Sequence, residues 1–319
     1  MKKKCRTICI TLFIFLLLPY IITVLINGKA VHRNGDNSPL YVKVESGERE
    51  TKVLWEDYLV GVVAKEIQPD YHMEMLKVQT ILSRTNLYRK IEEKKNAVFS
   101  GEYMTRGEME KLWGKEKGEE IYKKLKKAVV ETEGKAILYK EKLASASFHK
   151  LSNGKTRNGN EVLGGENYSY LKTKDCPKDI ENKWQLQTLE LTYKEVKEYC
   201  KPFLTAVDKK EAAKPFTKED FEIKQTDSAG YVTKVRIGKH IYAGEEFRKA
   251  LELPSSCFSF RDNNGIFKIT TKGVGHGIGL SQHTANEMAK EGKSSEEILQ
   301  YFFEGTEIRE VTEILLNIE

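Results

Sequence analysis

Glu66 closes the run "VLWEDYLVGVVAKEIQP", and its position invites acid chemistry. Trp55, Leu59, Val62 and Val63 recur at steps of three and four, the apolar stripe of an amphipathic helix. Glu66 falls four residues after Val62, on or at the edge of the face that should be buried. A carboxyl held against apolar side chains loses hydration in its charged form, so its pKa rises. Such a group stays protonated near neutral pH and can donate to a leaving oxygen. Arg84, on the next expected helix, is close enough in sequence to meet it across a helix pair. The plain alternative is that Glu66 snorkels to water and Arg84 is a surface partner.

A second constellation is "TTKGVGHGIGLSQHTANEMAKEG". Gly273, Gly275, Gly277 and Gly279 strip one face of the segment and would let backbone approach a ligand closely. His276 projects from it, and the chain enters a helix at Ser281 and Gln282, where free N–H groups can hold oxygens. A dinucleotide fingerprint is excluded by the G-x-G-x-G-x-G spacing and the missing βαβ context. The alternative is a tight glycine turn with Ser281 as a helix cap only. A third segment, "ASFHKLSNGKTRNGNEVLGGENYSYLKT", presents His149, Ser152, Asn153, Gly154 and Thr156, then Tyr168 and Tyr170. Hydroxyls, amides and aromatic faces suit a sugar chain, although a single His at a strand end is also a common structural residue. No H-E-x-x-H and no paired C-x-x-C supports a zinc site.

The elements that must position these groups are mixed. A strand, "YVKVES", precedes helices over 53–67 and about 72–93; Pro69 stops the first. Met75, Val78, Leu82 and Thr85 line one face of the second. Thr105 and Glu108 form a capping box for a third helix, and a fourth spans about 116–131. Beyond Gly134 the texture turns strand-like in "AILYK", "ASASFHK" and "WQLQTLELTY". Residues 206–220 read as charged surface. A hairpin turns at Ser-Ala-Gly, a short helix follows in "AGEEFRKALEL", and a second hairpin turns at Asn-Gly. Two helices end the chain, the first closed by Gly292, the second capped by Ser294 and Glu297. The expectation is an α+β domain over 40–319: a helical N-terminal lobe and a strand-rich lobe around one cleft.

Net charge is +6, of which Lys2, Lys3, Lys4 and Arg6 supply four. The Lys-rich pieces elsewhere alternate with Glu, so nothing argues for nucleic acid. Residues 8–26 form 19 uncharged, mostly apolar positions behind that basic start. A helix of that length spans roughly 28 Å, near the hydrocarbon thickness. The expectation is an uncleaved single-pass membrane anchor over 1–26, a stalk over 27–39 and an extracytoplasmic domain, with a cleaved signal peptide as the rival. Cys176, Cys200 and Cys257 are scattered; one disulfide, Cys176 to Cys200, or three isolated thiols are both open.

Three of these segments together resemble the stage II sporulation protein D family and, more distantly, the amidase-enhancer domains. They are "YLVGVVAKEIQPDYHMEMLKVQTILSRT", "SFHKLSNGKT" followed by "YSYLKT", and "GVGHGIGLSQHTANEMAKEGKSSEEILQYFFEGTEI". The resemblance runs from about residue 40 to 310, in order. It implies a lytic transglycosylase acting on peptidoglycan glycan strands during engulfment, with Glu66 as the acid and no cofactor. Arg84, Tyr170 and Ser281 match positions that serve the family's site, and His149, Ser152, His276 and Gln282 lie in its motifs. It also implies a partner amidase that strips stem peptides from the glycan. His283 stands where the family carries an aromatic residue. Relatives that hold zinc use a Cys that this loop lacks between His149 and Cys176.

Glu66 would protonate the leaving oxygen and then take a proton from the muramic C6 hydroxyl, closing a 1,6-anhydro ring without water. Hydrolases use two carboxylates instead. Asp57 and Asp70 are the nearest in sequence, and Asp57 should face away from Glu66 on the same helix. The rivals are a non-catalytic glycan-binding amidase-enhancer module and a membrane-tethered scaffold.

Overall fold

Two strands, β1 (Tyr41–Ser46) and β2 (Arg49–Leu54), lead into α1 (Trp55–Glu66). In the computed structural model the residues described are 40–46, 49–93, 99–100, 103–207, 210 and 215–311. The apolar stripe read from the sequence is buried along α1, including Trp55, Leu59, Val62 and Val63. The helix stops where Ile67 turns extended at φ −132°, and Pro69 two residues on, which keeps Gln68 out of the helical region, prevents it from resuming. α2 (Met73–Glu93) packs against α1, with Met75, Val78, Leu82 and Thr85 all buried. After β3 (Phe99–Ser100) come α3 (Arg106–Trp113), opened by the Thr105–Glu108 capping box, and α4 (Lys115–Glu131).

The chain then makes β4 (Lys135–Tyr139), β5 (Lys142–Leu143) and β6 (Phe148–His149). The expected strand over "ASASFHK" shrinks to these last two residues. The polar stretch that follows holds only short α5 (Gly159–Leu163) and α6 (Pro177–Ile180). The strand-rich lobe consists of β7 (Leu186–Thr192), α7 (Tyr193–Val207), β8 (Phe221–Thr226), β9 (Val232–Ile237), β10 (His240–Ala243), α8 (Gly244–Ala250), β11 (Phe258–Asn263) and β12 (Ile266–Lys272). Its two antiparallel sheets, ordered β10-β9-β8 and β11-β12-β7, enclose a core with Val196, Cys200, Phe221, Phe247 and Phe267. Helix α7 was not expected from the sequence.

β13 (Leu280–Ser281) leads into α9 (Gln282–Lys290), α10 (Ser295–Phe302) and β14 (Glu307–Glu310). The last two helices pack on α2, so the helical lobe is built from both ends of the described chain. β14 likewise returns to pair with β4. The fold is α+β, as expected.

One open alternative is decided and one expectation is corrected. Cys176, Cys200 and Cys257 are buried free thiols, so no Cys176–Cys200 disulfide forms. The expected single-pass membrane localisation, and with it a membrane partner, is also withdrawn. Among the described residues no helix is long and apolar enough to cross a membrane. Residues 8–26 and the stalk, on which that expectation rested, lie outside the described residues.

Candidate functional site

Glu66 is the last residue of α1, half-buried where the helix runs out into a cleft. Gln79 and Ser83 stand four apart on α2, hence on one face, and both reach it. Gln79 Nε2 donates to Glu66 Oε2 at 3.0 Å, and Ser83 Oγ lies in a short hydrogen bond to the same oxygen. Ser83 Oγ is also 2.8 Å from the Gln79 carbonyl one turn back. Gln282, the first residue of α9, completes the arrangement. Its Nε2 donates to the Glu66 carbonyl oxygen at 2.9 Å and to Gln79 Oε1 at 3.0 Å. With its oxygen held by Gln282, the Gln79 amide can only present its nitrogen to Glu66. A carboxyl at a helix end is thus fixed by a chain of neutral amides and a hydroxyl.

The cleft beside it encloses about 710 Å³, within the size range of ligand sites. Glu66, Gln68, Asp70 and Tyr71 line one wall, Gln282, His283, Asn286 and Glu287 another, and Lys150, Lys183 and Trp184 the far side. Trp184 is 58% exposed, unusual for so large an apolar face. Burial, then the Asp70, Asp179 and Glu287 charges, push the Tyr71 phenol up to about 12, so it stays a neutral donor. Asn286 Oδ1 accepts from the His72 N–H at 2.8 Å, tying the start of α2 to α9. Among these acids, Asp70 lines the cleft, whereas Asp57 faces away and accepts from Tyr122 at 2.7 Å.

Beneath the cleft lies a polar hub that the sequence did not announce. Asp179, fully buried on α6, accepts at Oδ2 from Ser152 N (2.7 Å), Ser152 Oγ (2.6 Å) and Ser281 Oγ (2.7 Å). Its Oδ1 accepts from Thr284 Oγ1 at 2.7 Å. One carboxylate therefore pins the polar loop, the end of the glycine segment and the start of α9 together. Ser281 is the N-cap of α9 and is itself wholly buried, so its hydroxyl holds the fold and does not face the cleft.

Other expected site residues are likewise placed elsewhere. Arg84 is buried and donates from Nη1 to Thr132 O (2.5 Å), Thr132 Oγ1 (3.2 Å) and Lys135 O (3.1 Å), and from Nη2 to Val129 O (3.1 Å). It closes the C-terminus of α4, on the side of α2 away from the Gln79–Ser83 face. Tyr170 is buried against Tyr139 and Phe303, its hydroxyl bonded to the Ser145 backbone. His149 is buried, with Nδ1 3.2 Å from Ile278 O and Nε2 unpartnered, and its ring lies 5.9 Å from that of His276. Burial, then His276, push His149 down to about 3; burial also lowers His276. The His276 Nδ1 accepts from Ile278 N at 3.1 Å. The pair offers at most two free nitrogens, and among the described residues no group of three His, Cys, Asp or Glu could hold a metal. This donor set does not fit the zinc of some relatives. Of the eight expected site residues, Glu66 and Gln282 line the cleft.

The four glycines do not approach a ligand. All take positive φ and press against protein. A Cβ on Gly273 (φ 78°) would sit 2.7 Å from Leu151 O, and one on Gly275 (φ 114°) 2.7 Å from His149 Cβ. The close approach allows β13 to pair in parallel with β6, Leu280 beside Phe148 and Ser281 beside His149. That pairing delivers Gln282 to Glu66.

Comparison with known proteins places the sequence in a family. A family model described as stage II sporulation protein matches residues 46–139, which hold Glu66, Gln79 and Ser83. Stage II sporulation protein D of Bacillus subtilis (strain 168) is 32% identical over 271 residues, 82% of this chain and 76% of that protein. This chain belongs to the stage II sporulation protein D family. The Bacillus amyloliquefaciens stage II sporulation protein D is 31% identical over 291 residues, 87% of this chain and 81% of its own length. The amidase enhancer of Bacillus subtilis (strain 168) is 25% identical over 292 residues, 78% of this chain and 40% of that protein. Gln79, Ser83 and Trp184 were missed in the sequence. The first two carried a usable signal, a polar pair four apart on the helix that follows Glu66.

Proposed function

We propose that this chain is a peptidoglycan lytic transglycosylase of sporulation engulfment, acting on glycan strands already stripped of stem peptides by a partner amidase. The observation that carries this reading is the Glu66 carboxyl, held on the wall of an open cleft by Gln79 and Ser83. A group so fixed meets the geometric need of a general acid and base. Glu66 protonates the oxygen that leaves from the muramic C1. It then takes the proton of the C6 hydroxyl as O6 closes on C1. The products are a 1,6-anhydromuramic end and a new N-acetylglucosamine end, with no water consumed. Trp184 and the Asn286 amide supply a stacking face and hydrogen bonds for the sugars, while Gln282 is occupied with Glu66 and Gln79.

The test is Glu66→Gln incubated with peptide-free glycan strands, the products read by mass spectrometry. The variant should bind strands and lose at least about 10³-fold in anhydromuramic ends. Undiminished product would end the catalytic role of Glu66. The similarity to the amidase enhancer favours one second reading, a glycan-holding module that stimulates an amidase. Under it the unmodified chain forms no anhydromuramic ends, while amidase turnover rises in its presence.

A further inference from the structure

A second hollow of about 390 Å³ lies across the turn that follows α1. Gln68, Pro69 and Asp70 form one side of it, and Trp113 at the end of α3 with Lys117 and Glu120 of α4 the other. Gln68 and Asp70 also line the cleft that holds Glu66, so the two hollows meet at a single turn. That turn is rigid: Lys124 Nζ donates to the carbonyls of Pro69 at 3.0 Å and Tyr71 at 2.8 Å.

The geometry points to a second saccharide subsite at Trp113, which takes the arm of the glycan strand that continues past the Gln68–Asp70 turn. This deepens the proposed function and rests on it for the identity of the occupant. Three observations favour a glycan there. Trp113 is part-exposed and offers an indole face to the apolar side of a sugar ring, as Trp184 does in the first hollow. Among the described residues, the side chains of Asp70, Lys117 and Glu120 are engaged in no hydrogen bond or ion pair, which leaves acceptors and a donor for hydroxyls and N-acetyl groups. Continuity across one fixed turn means that a linear chain leaving the first hollow over Asp70 enters the second. Two indole-bearing hollows that share the Gln68–Asp70 turn, two residues past Glu66, describe a site that grips a strand on both sides of the scissile bond.

A strand that spans both hollows gains from both, whereas a short one gains from a single hollow. The experiment uses the whole chain carrying Glu66→Gln, titrated calorimetrically with N-acetylglucosamine oligomers of about two and about eight units. Adding Trp113→Ala should weaken the long probe roughly tenfold and the short one less than about twofold. The paired change Lys117→Ala and Glu120→Ala, at exposed positions, should weaken the long probe several-fold and covers a Trp113 variant that fails to fold. Equal affinity of the long probe for all three proteins overturns the subsite. If the Glu66-intact chain still forms anhydromuramic ends in that case, the enzymatic reading stands without it. Length-dependent loss with no anhydromuramic ends would keep the subsite and remove the catalysis.

Discussion

Replacing Arg84 separates a catalytic role from a structural one. The guanidinium is 2% exposed and serves three backbone carbonyls and one hydroxyl at the end of α4. Burial lowers its pKa to about 10, which leaves it cationic at neutral pH, where its charge also complements the helix C-terminus. Arg84→Ala removes the donor from Val129 O, Thr132 O and Lys135 O. A buried acceptor left unmet costs about 1–3 kcal/mol. Thr132 O keeps the Lys135 N–H at 3.0 Å and Val129 O keeps Thr132 Oγ1 at 3.4 Å, so the losses do not simply add. With the cavity left by the side chain we expect about 4 kcal/mol, a large part of the roughly 5–15 kcal/mol of an ordinary domain. The assay is a urea titration followed by far-ultraviolet circular dichroism, beside product formation per folded molecule. The midpoint should fall sharply, the melting temperature by roughly 10 °C, and turnover per folded molecule should survive in the cold. Arg84→Lys should recover only part of the loss, because an ammonium cannot span three carbonyls as a planar fork does. An Arg84→Ala protein with unchanged midpoint and no turnover would refute this reasoning and return Arg84 to the chemistry.

Asp179→Asn sets an amide N–H₂ against hydroxyl donors from Ser152, Ser281 or Thr284, and should lower stability by about 3 kcal/mol in the same titration; an unchanged midpoint would show that the hub is not holding the loop to α9. Gln282→Ala frees the Gln79 amide from its fixed orientation, and should cut anhydromuramic product roughly 10–100-fold while strand affinity changes little. His149 yields a pH effect of definite sign. Its imidazole titrates near 6.5 in the unfolded chain and is pushed down to about 3 in the fold. Below about pH 6.5 the unfolded chain therefore binds a proton that the folded chain refuses, and stability falls by ~1.4 kcal/mol per pH unit. Melting followed from neutrality to about pH 5 should show this decline, and His149→Gln should flatten it by about 2 kcal/mol.

Much of the secondary structure was legible because its causes are local. The Thr105–Glu108 and Ser294–Glu297 boxes form as their spacing requires, and Asn264 and Gly265 take the positive φ of a tight hairpin turn. Helix α7 escaped because Pro202 interrupts it, although Val196, Cys200 and Leu204 recur at four-residue steps in its buried face. The site was legible only in part. Glu66 stood out as an acid on an apolar stripe, but the next helix offered two polar faces, and Arg84 drew attention from Gln79 and Ser83. Asp179 could not have been found by spacing, since its donors lie 27, 102 and 105 positions away.

The glycine segment shows how a correct local inference can attach to the wrong object. Alternating glycines do signal close approach. What approaches is the chain at residues 147–152 and, at Gly277, the Tyr231 ring. The consequence still reaches the chemistry. A side chain at Gly275 would push β13 from β6, Ser281 would leave Asp179, and Gln282 would no longer hold both the Glu66 carbonyl and Gln79. Gly275→Ala should therefore reduce turnover through the orientation of Gln79, in a residue that touches no sugar. A Gly275→Ala chain that folds and turns over normally would break the link from the glycine segment to Glu66.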